Sequence, residues 1–431
     1  MEKIIVLAYC FPPCNATPSE RAYSWAAYLN KGNYYPVFIT RNWDFDMSNA
    51  SSDLFKSSGK EVRIEKFDTY EVHYIPYYAS WRDQLFTKTT QTKFYFIYLV
   101  FSFIYSLLNP LFIRSSSFKH IYRYADDWLG RHTDIKKMVA TASPFEFFGM
   151  AYLLSKTHSL KWIADYRDDW STSEVFKASK IKQFLLTHYF SRFEKKWLST
   201  CSSFSSVSEH LVYKIENLIK KPGTCIYNGF MPENYKEKTP QPVNKKFTLC
   251  YVGSIYSTQP IIPFLECVNT FIQSYPKDSL QFEVQFVGIK NEPQLYASML
   301  KTTEEYASYY SFTTRLPKKD AITLQQRAHC LLAISHQGIK GSPGSKLYEY
   351  LAIKKPVLVY PEKGDILFET LSKTKQGIFC ESNEELINAL HALYQNFLEH
   401  KNTSHHFNQE EINKYTREAQ TDKLITMLNK L

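Results

Sequence analysis

The sequence has 431 residues, more than a single hydrophobic core accommodates, because cores stop growing near ~250–300 residues, so two domains are expected. Its 44% hydrophobic and 22% charged content is that of a folded globular protein and excludes a disordered or low-complexity chain. Lysine and arginine exceed aspartate and glutamate by 52 to 42, a formal charge of +10 that favours an anionic partner. The sequence carries no pattern of an RNA- or DNA-binding module, which turns that reading from nucleic acid toward an anionic lipid surface or a phosphorylated substrate.

Lys3–Tyr9 is an apolar run without alternation that leads into a Pro-rich loop and not into a small-residue cleavage site. It predicts a buried first strand, not a signal peptide. The eight cysteines are irregularly spaced with no CxxC pair, which suggests neither a zinc site nor a disulfide framework and points to a reducing cytoplasm. Cys10 and Cys14 in the loop after the first strand read as plain thiols, with a redox or metal role as the alternative. A helical stretch at Ser19–Leu29 and a second apolar run at Tyr35–Thr40 complete the start of a βαβ unit.

Phe94–Ile113 is nearly free of charge and flanked by Lys93 and Arg114. The preferred reading of segment 94–113 is a helical hairpin or surface helix dipping into one leaflet; buried core and a full span are the alternatives. Further buried strands are predicted at Met138–Ala142, Lys161–Asp165, Ser203–Ser208 and Cys225–Tyr227. Phe176–Trp197 mixes Lys and Arg with Phe, Leu and Tyr, as in a basic amphipathic helix on anionic lipid or a solvated face over a core face.

The polar, Pro-bearing run Met231–Lys246 has the composition of a linker. Strand-like runs resume at Phe247 and recur at Phe282–Val287, Cys330–Ile334 and Pro356–Tyr360. The pattern predicts two doubly wound α/β halves, a first domain over 1–235 and a second over 247–405. A helical tail over 406–431 is expected to pack back on the first. Ligands of such folds bind at the carboxyl ends of the strands, so chemistry is sought in the loops there.

Two segments carry candidate chemistry. In WIADYRDDW a buried strand delivers Asp165, Arg167 and Asp168 to its carboxyl end. Asp165 can orient or deprotonate an acceptor hydroxyl, and Arg167 can hold a carboxylate or a phosphate; the alternative is an internal Arg–Asp pair that shapes the loop. Arg21, on the first helix, is an acceptor-side candidate. In Gly338–Asp365 a Gly, Ser and Pro loop runs into a short helix, Lys346–Ile353. The amides at its start, with Ser345 and Lys346, suit a diphosphate, and Glu349 one turn on suits ribose hydroxyls, although such a loop also serves as a plain turn and cap. His336 closes the strand before that loop. No Asp-x-Asp metal motif occurs, and the pairs Asp126-Asp127 and Asp168-Asp169 read equally as surface acidity or caps.

The run PGSKLYEYLAIKKPVLVY resembles the donor-site motif of bacterial family-four glycosyltransferases. YCFPPCNATPSERAYSWAAYL, TASPFEFF, WIADYRDDW, SSVSEHL, IYNGF and YVGSIY are similar to that family's segments in the same order, over most of the chain. The resemblance implies a retaining enzyme of GT-B fold, with two Rossmann-like domains facing a central cleft. It implies donor contacts at Gly253, Ser254, Gly344, Ser345, Lys346, Leu347 and Glu349. Two departures stand out: Gly341 occupies the place of the family's first glutamate, and YVGSIYSTQP lacks the usual cation. Both resemble the branch with a Gly-Lys-x-x-Glu-Tyr motif, and they make Lys346 and Arg315 the preferred cations for the diphosphate.

The implied reaction moves a sugar from a nucleoside-diphosphate donor to a lipid-linked or polysaccharide acceptor in cell-surface glycan synthesis, with uridine diphosphate expected as the nucleotide from its frequency alone. The implied place is the inner face of the cell membrane. No cofactor and no metal are expected, because amides and cations aimed at the departing diphosphate stabilise its growing charge. The competing readings are a nucleotide-sugar 2-epimerase of the same fold and a non-catalytic membrane-associated assembly protein.

Overall fold

The computed structural model describes the chain except residues 15, 44–54, 90–91, 174–179, 237–241, 277–278, 337–343, 363, 365 and 400–405. It divides into two compact units, Met1–Asn228 with Arg417–Leu431, and Gly229–Thr416.

In the first unit β1 (Glu2–Ala8), β2 (Tyr34–Arg41), β3 (Arg63–Lys66), β4 (Glu71–Ile75), β5 (Lys137–Ala142), β6 (Lys161–Tyr166), β7 (Ser203–Ser206) and β8 (Gly223–Cys225) form one sheet. Its order is β3-β4-β2-β1-β5-β6-β7-β8, parallel throughout except for the antiparallel edge pair β3 and β4. Along β1, Ile5 and Leu7 enter one apolar cluster while Ile4, Val6 and Ala8 enter another. Both faces of the strand are covered, which explains an apolar run without alternation.

The second unit carries β9 (Phe247–Val252), β10 (Phe282–Val287), β11 (Tyr310–Thr313), β12 (Cys330–Ile334), β13 (Val357–Tyr360) and β14 (Gly377–Phe379). Their order is β11-β10-β9-β12-β13-β14 and every pair is parallel. Strand order reverses between β1 and β5 in the first sheet and between β9 and β12 in the second, so each unit has the switch point at which doubly wound sheets hold ligands.

The described parts of the polar run from Met231, on either side of residues 237–241, belong to the second unit. Gln326 donates to the Tyr235 carbonyl (3.0 Å) and the Asn244 amide to the Arg327 carbonyl (3.0 Å). The tail from residue 406 divides. Up to Thr416 it belongs to the second unit, and the helix Arg417–Leu428 belongs to the first. That helix packs on Thr17–Tyr28, burying Leu424, Met427 and Leu428 beside Ala22 and Trp25, and Gln420 accepts from the Tyr227 amide (2.8 Å).

Segment 94–113 forms one helix, Tyr95–Leu108, followed by the 3-10 turns Asn109–Leu111 and Ile113–Ser115, with Pro110 at the break. Its 14 residues rise ~21 Å, short of the ~30 Å hydrocarbon core of a bilayer. No helix among the described residues is long and apolar enough to cross a membrane. The helix lies against Trp81–Thr89 through the ring pairs Trp81–Phe101 and Phe86–Tyr98 (5.6 and 5.0 Å). The core alternative is overturned, because Tyr98 is the one buried side chain of this helix. Phe96, Leu99 and Val100 are 61%, 51% and 54% exposed, and Phe101, Phe103, Ile104 and Leu108 are exposed with them.

Candidate functional site

In the second unit the carboxyl end of β9 turns at Gly253 (φ +109°) and that of β10 at Gly288 (φ +98°), both in the left-handed region that glycine adopts without strain. The amide of Gly253 donates to the Val287 carbonyl (2.8 Å), tying the two turns together. Across Gly253 lies Lys346, in the first turn of the helix Ser345–Ile353. A Cβ on Gly253 would meet Lys346 Cε at 2.7 Å, so the glycine is what lets the lysine pass.

Lys346 Nζ donates to the Tyr251 hydroxyl (2.6 Å) and the Ser254 carbonyl (3.1 Å) and sits 4.0 Å from the Tyr251 ring centroid. The Tyr251 hydroxyl donates to the same carbonyl (2.8 Å). Desolvation brings the ammonium down to about 8, against the opposing pull of Glu349 one turn along the helix. A half-buried cation at a helix start, held by neutral oxygens beside two glycine turns, is an arrangement for receiving an anion.

The other donor-side candidates divide. Gly344 is the N-cap, in extended conformation and exposed, so the helix opens to solvent there. Leu347 is a correction: its side chain is buried and its amide donates to the Gly344 carbonyl (3.3 Å), leaving it no group for a ligand. Ser254 acts through the carbonyl that holds Lys346. The Ser345 side chain and Gly341 lie outside the described residues. Arg315 is exposed in the loop after β11, at the same sheet edge but two strands from β9. His336 accepts or shares a hydrogen bond with Thr258 (2.7 Å), and its ring lies 5.5 Å from that of exposed Tyr256. Gly288 and Tyr251 were not among the expected residues; the repeated Val-Gly after an apolar run in YVGS and FVGI is the signal that finds the glycine.

In the first unit Arg21 and Asp165 are together, and this corrects the role of each. Arg21 Nε and Nη2 donate to the two Asp165 carboxylate oxygens (2.9 and 2.5 Å), and Nη1 to the Ile226 and Tyr227 carbonyls (2.9 and 3.2 Å). Thr141 and Ser205 donate to the same carboxylate (2.8 and 2.7 Å). Burial alone raises the Asp165 carboxyl, but Arg21 with the two hydroxyls more than reverses this and holds it below its ordinary value. Asp165 is 0% and Arg21 2% exposed, so neither presents a free atom to an acceptor. The pair ties the first helix to β5, β6, β7 and the loop after β8.

Arg167 is likewise spent on structure, donating through its side chain to the Ala142 carbonyl (3.1 Å) and to the Ser143 carbonyl, and burial lowers its pKa. Asp168, next along, retains exposed surface. Crowding by the protein raises its carboxyl, with Arg167 opposing and Asp169 adding to the effect. Glu194, buried in the Lys180–Leu198 helix, accepts from the Tyr166 hydroxyl (2.9 Å) and the Ser171 amide (3.1 Å), fixing both ends of the Arg167–Trp170 loop. Among the described residues no three His, Cys, Asp or Glu side chains converge as for a metal ion.

No family model and no curated protein sequence matches the chain. Solved structures do. Sucrose-phosphate synthase from Thermosynechococcus elongatus superposes with a TM-score of 0.60 at 12% identity, over 100% of this chain and 99% of that one. A glycosyltransferase from Rickettsia africae gives 0.64 at 11%, over 99% and 97%. The Anabaena protein HepE, in complex with UDP and glucose, gives 0.59 at 10%, over the whole of both chains. At these identities the likeness establishes architecture: the chain has the two-domain GT-B fold of these proteins over essentially its whole length.

Proposed function

We propose that the chain is a glycosyltransferase that takes a sugar from a nucleoside-diphosphate donor, the diphosphate lying at Lys346 and the start of the Ser345–Ile353 helix. The observation that carries this is the desolvated Lys346 ammonium held across Gly253 by two neutral oxygens. As the anomeric bond breaks, negative charge grows on the leaving diphosphate, and a cation already partly desolvated and held in place stabilises it with little reorganisation. HepE bound to UDP and glucose supports uridine diphosphate as the leaving group. Glu349, one turn along the same helix, is the residue that this reading assigns to the ribose hydroxyls. With Asp165 and Arg167 engaged, Asp168 is the acceptor-side carboxylate that this reading keeps. Retention of anomeric configuration, a lipid-linked or polysaccharide acceptor, cell-surface glycan synthesis and a place on the inner face of the cell membrane complete the proposal. The membrane part is supported by the exposed apolar helix Tyr95–Leu108, since solvent-facing patches of that kind mark interaction surfaces.

The test is a melting-temperature screen against nucleoside diphosphates followed by product analysis with the ligand that stabilises most. Uridine diphosphate is expected to raise the midpoint, because a ligand of the folded state alone adds stability, and the matching nucleotide sugar to give a new glycosidic bond. Stabilisation without transfer identifies a non-catalytic binder, and an altered nucleotide sugar identifies an epimerase; either outcome ends the proposal.

A further inference from the structure

Beside the apolar helix, the turns Asn109–Leu111 and Ile113–Ser115, the helix Glu146–His158 and the end of Lys180–Leu198 line a cavity of about 260 Å³ that stands half open to solvent. Its wall runs from exposed Leu111 and Phe112, 55% and 60% accessible, to half-buried Leu153 and buried Trp197. Arg114 and Lys196, both exposed, border it, and no carboxylate is among the described residues that line it. Gly149 forms part of the floor: a Cβ there would come within 2.9 Å of Ile113 and 3.1 Å of Trp197, so the absent side chain lets these two close over the helix.

Apolar walls, two cations at the rim and no acid select an amphiphile with an anionic head. The volume is below the ~300–1,000 Å³ of ordinary small-molecule pockets, which fits a length of one chain and not a compact ligand. The exposed apolar surface of Leu108, Leu111 and Phe112 leads directly to this cavity. We infer that the cavity is a site for one anionic phospholipid, an acyl chain against Leu153 and Trp197 and the phosphate beside Arg114 and Lys196. This rests on the membrane-docking reading above only for how the lipid arrives, and the two are tested apart.

Calorimetry with monomeric dihexanoyl phosphatidylglycerol tests the cavity without a bilayer. One lipid per chain is expected, with affinity weakened about tenfold by Leu153→Trp and by Arg114→Gln with Lys196→Gln. Circular dichroism checks that the variants fold, and the second pair, being exposed, keeps the test available if the first does not. Sedimentation with phosphatidylglycerol vesicles tests docking, which Phe96→Ser, Leu99→Ser and Phe103→Ser together are expected to abolish while short-chain lipid still binds. Absence of short-chain binding, equal binding by the cavity variants, or displacement by millimolar inorganic phosphate overturns the lipid site even in a protein that sediments. Short-chain binding by a protein that stays off vesicles supports the site and overturns only the docking.

Discussion

Arg21 and Lys346 are both cations withdrawn from water beside a parallel sheet, and they are treated in opposite ways. The guanidinium of Arg21 meets a carboxylate that four donor atoms complete. Its desolvation is offset inside the protein, and the Asp165 carboxyl is held low as a result. The ammonium of Lys346 has a phenol oxygen and a carbonyl as its hydrogen-bond partners among the described residues, and its charge is left costly enough to pull it to about 8. A charge that the fold neutralises is architecture. A charge that it desolvates and hydrogen-bonds to neutral oxygens is prepared for a counter-ion that arrives with the ligand.

The comparison breaks most directly at Asp165. Asp165→Asn leaves Arg21 buried without its counter-ion, and removing one partner of a buried pair costs about 3–5 kcal/mol. Urea denaturation is expected to show that loss, and a variant within about 1 kcal/mol of the parent shows that the pair is not structural. Lys346→Ala is expected to do the reverse, leaving stability unchanged or raised while lowering turnover by about 10²–10³, or ~3–4 kcal/mol, if its charge acts on the leaving group. Single-turnover rates at saturating nucleotide sugar decide it, and an undiminished rate removes Lys346 from the mechanism.

The titration of Lys346 sharpens the contrast further. Its folded pKa of about 8 lies below the ordinary 10.5, so between those values the unfolded chain binds more protons and this group's contribution to stability rises with pH. A bound diphosphate restores the proton. Calorimetry near pH 8 in buffers of different ionisation enthalpy is therefore expected to find uptake of on the order of half a proton per diphosphate bound. Affinity is expected to fall as pH rises beyond 8, and Lys346→Ala is expected to lose both effects. Proton release, or uptake persisting in the variant, assigns the titration elsewhere. Least in magnitude, Gly253→Ala combines a disfavoured φ with a Cβ 2.7 Å from Lys346 Cε. It is expected to cost about 1 kcal/mol of stability and to weaken diphosphate binding by displacing the lysine. Unaltered binding in that variant shows that the lysine reaches the ligand by another path.

The two α/β halves were legible because buried parallel strands leave continuous apolar runs; β1, β2, β5, β6, β9, β12 and β13 fall on such runs, and β10, FEVQFV, on an alternating one. The strands β3, β4, β11 and β14 were not, since they are three to five residues long and charged, as in RIEK of β3, or mixed in character, as in Glu71–Ile75 with its Glu and His. Lys346 was legible from its helix and its resemblance, whereas its desolvation depends on Tyr251, ninety-five positions away. Asp165 was misread for the same reason. Its strand could be seen in the sequence, but its partner Arg21 lies 144 positions earlier, and nothing local tells a carboxylate aimed at solvent from one aimed at a distant guanidinium. Pairing across a fold is set by topology, and topology is the part of the code that single segments do not carry.

The helix Arg417–Leu428 has a consequence in time. It completes the apolar layer over Ala22, Trp25 and Leu29, yet it is synthesised after the whole of the second unit. At translation rates of about 5–20 residues per second, the first unit waits on the order of 10–40 s with that layer uncovered. During the wait, the surface around Trp25 is open to aggregation and to capture by chaperones, and it is sealed only once this helix has left the ribosome.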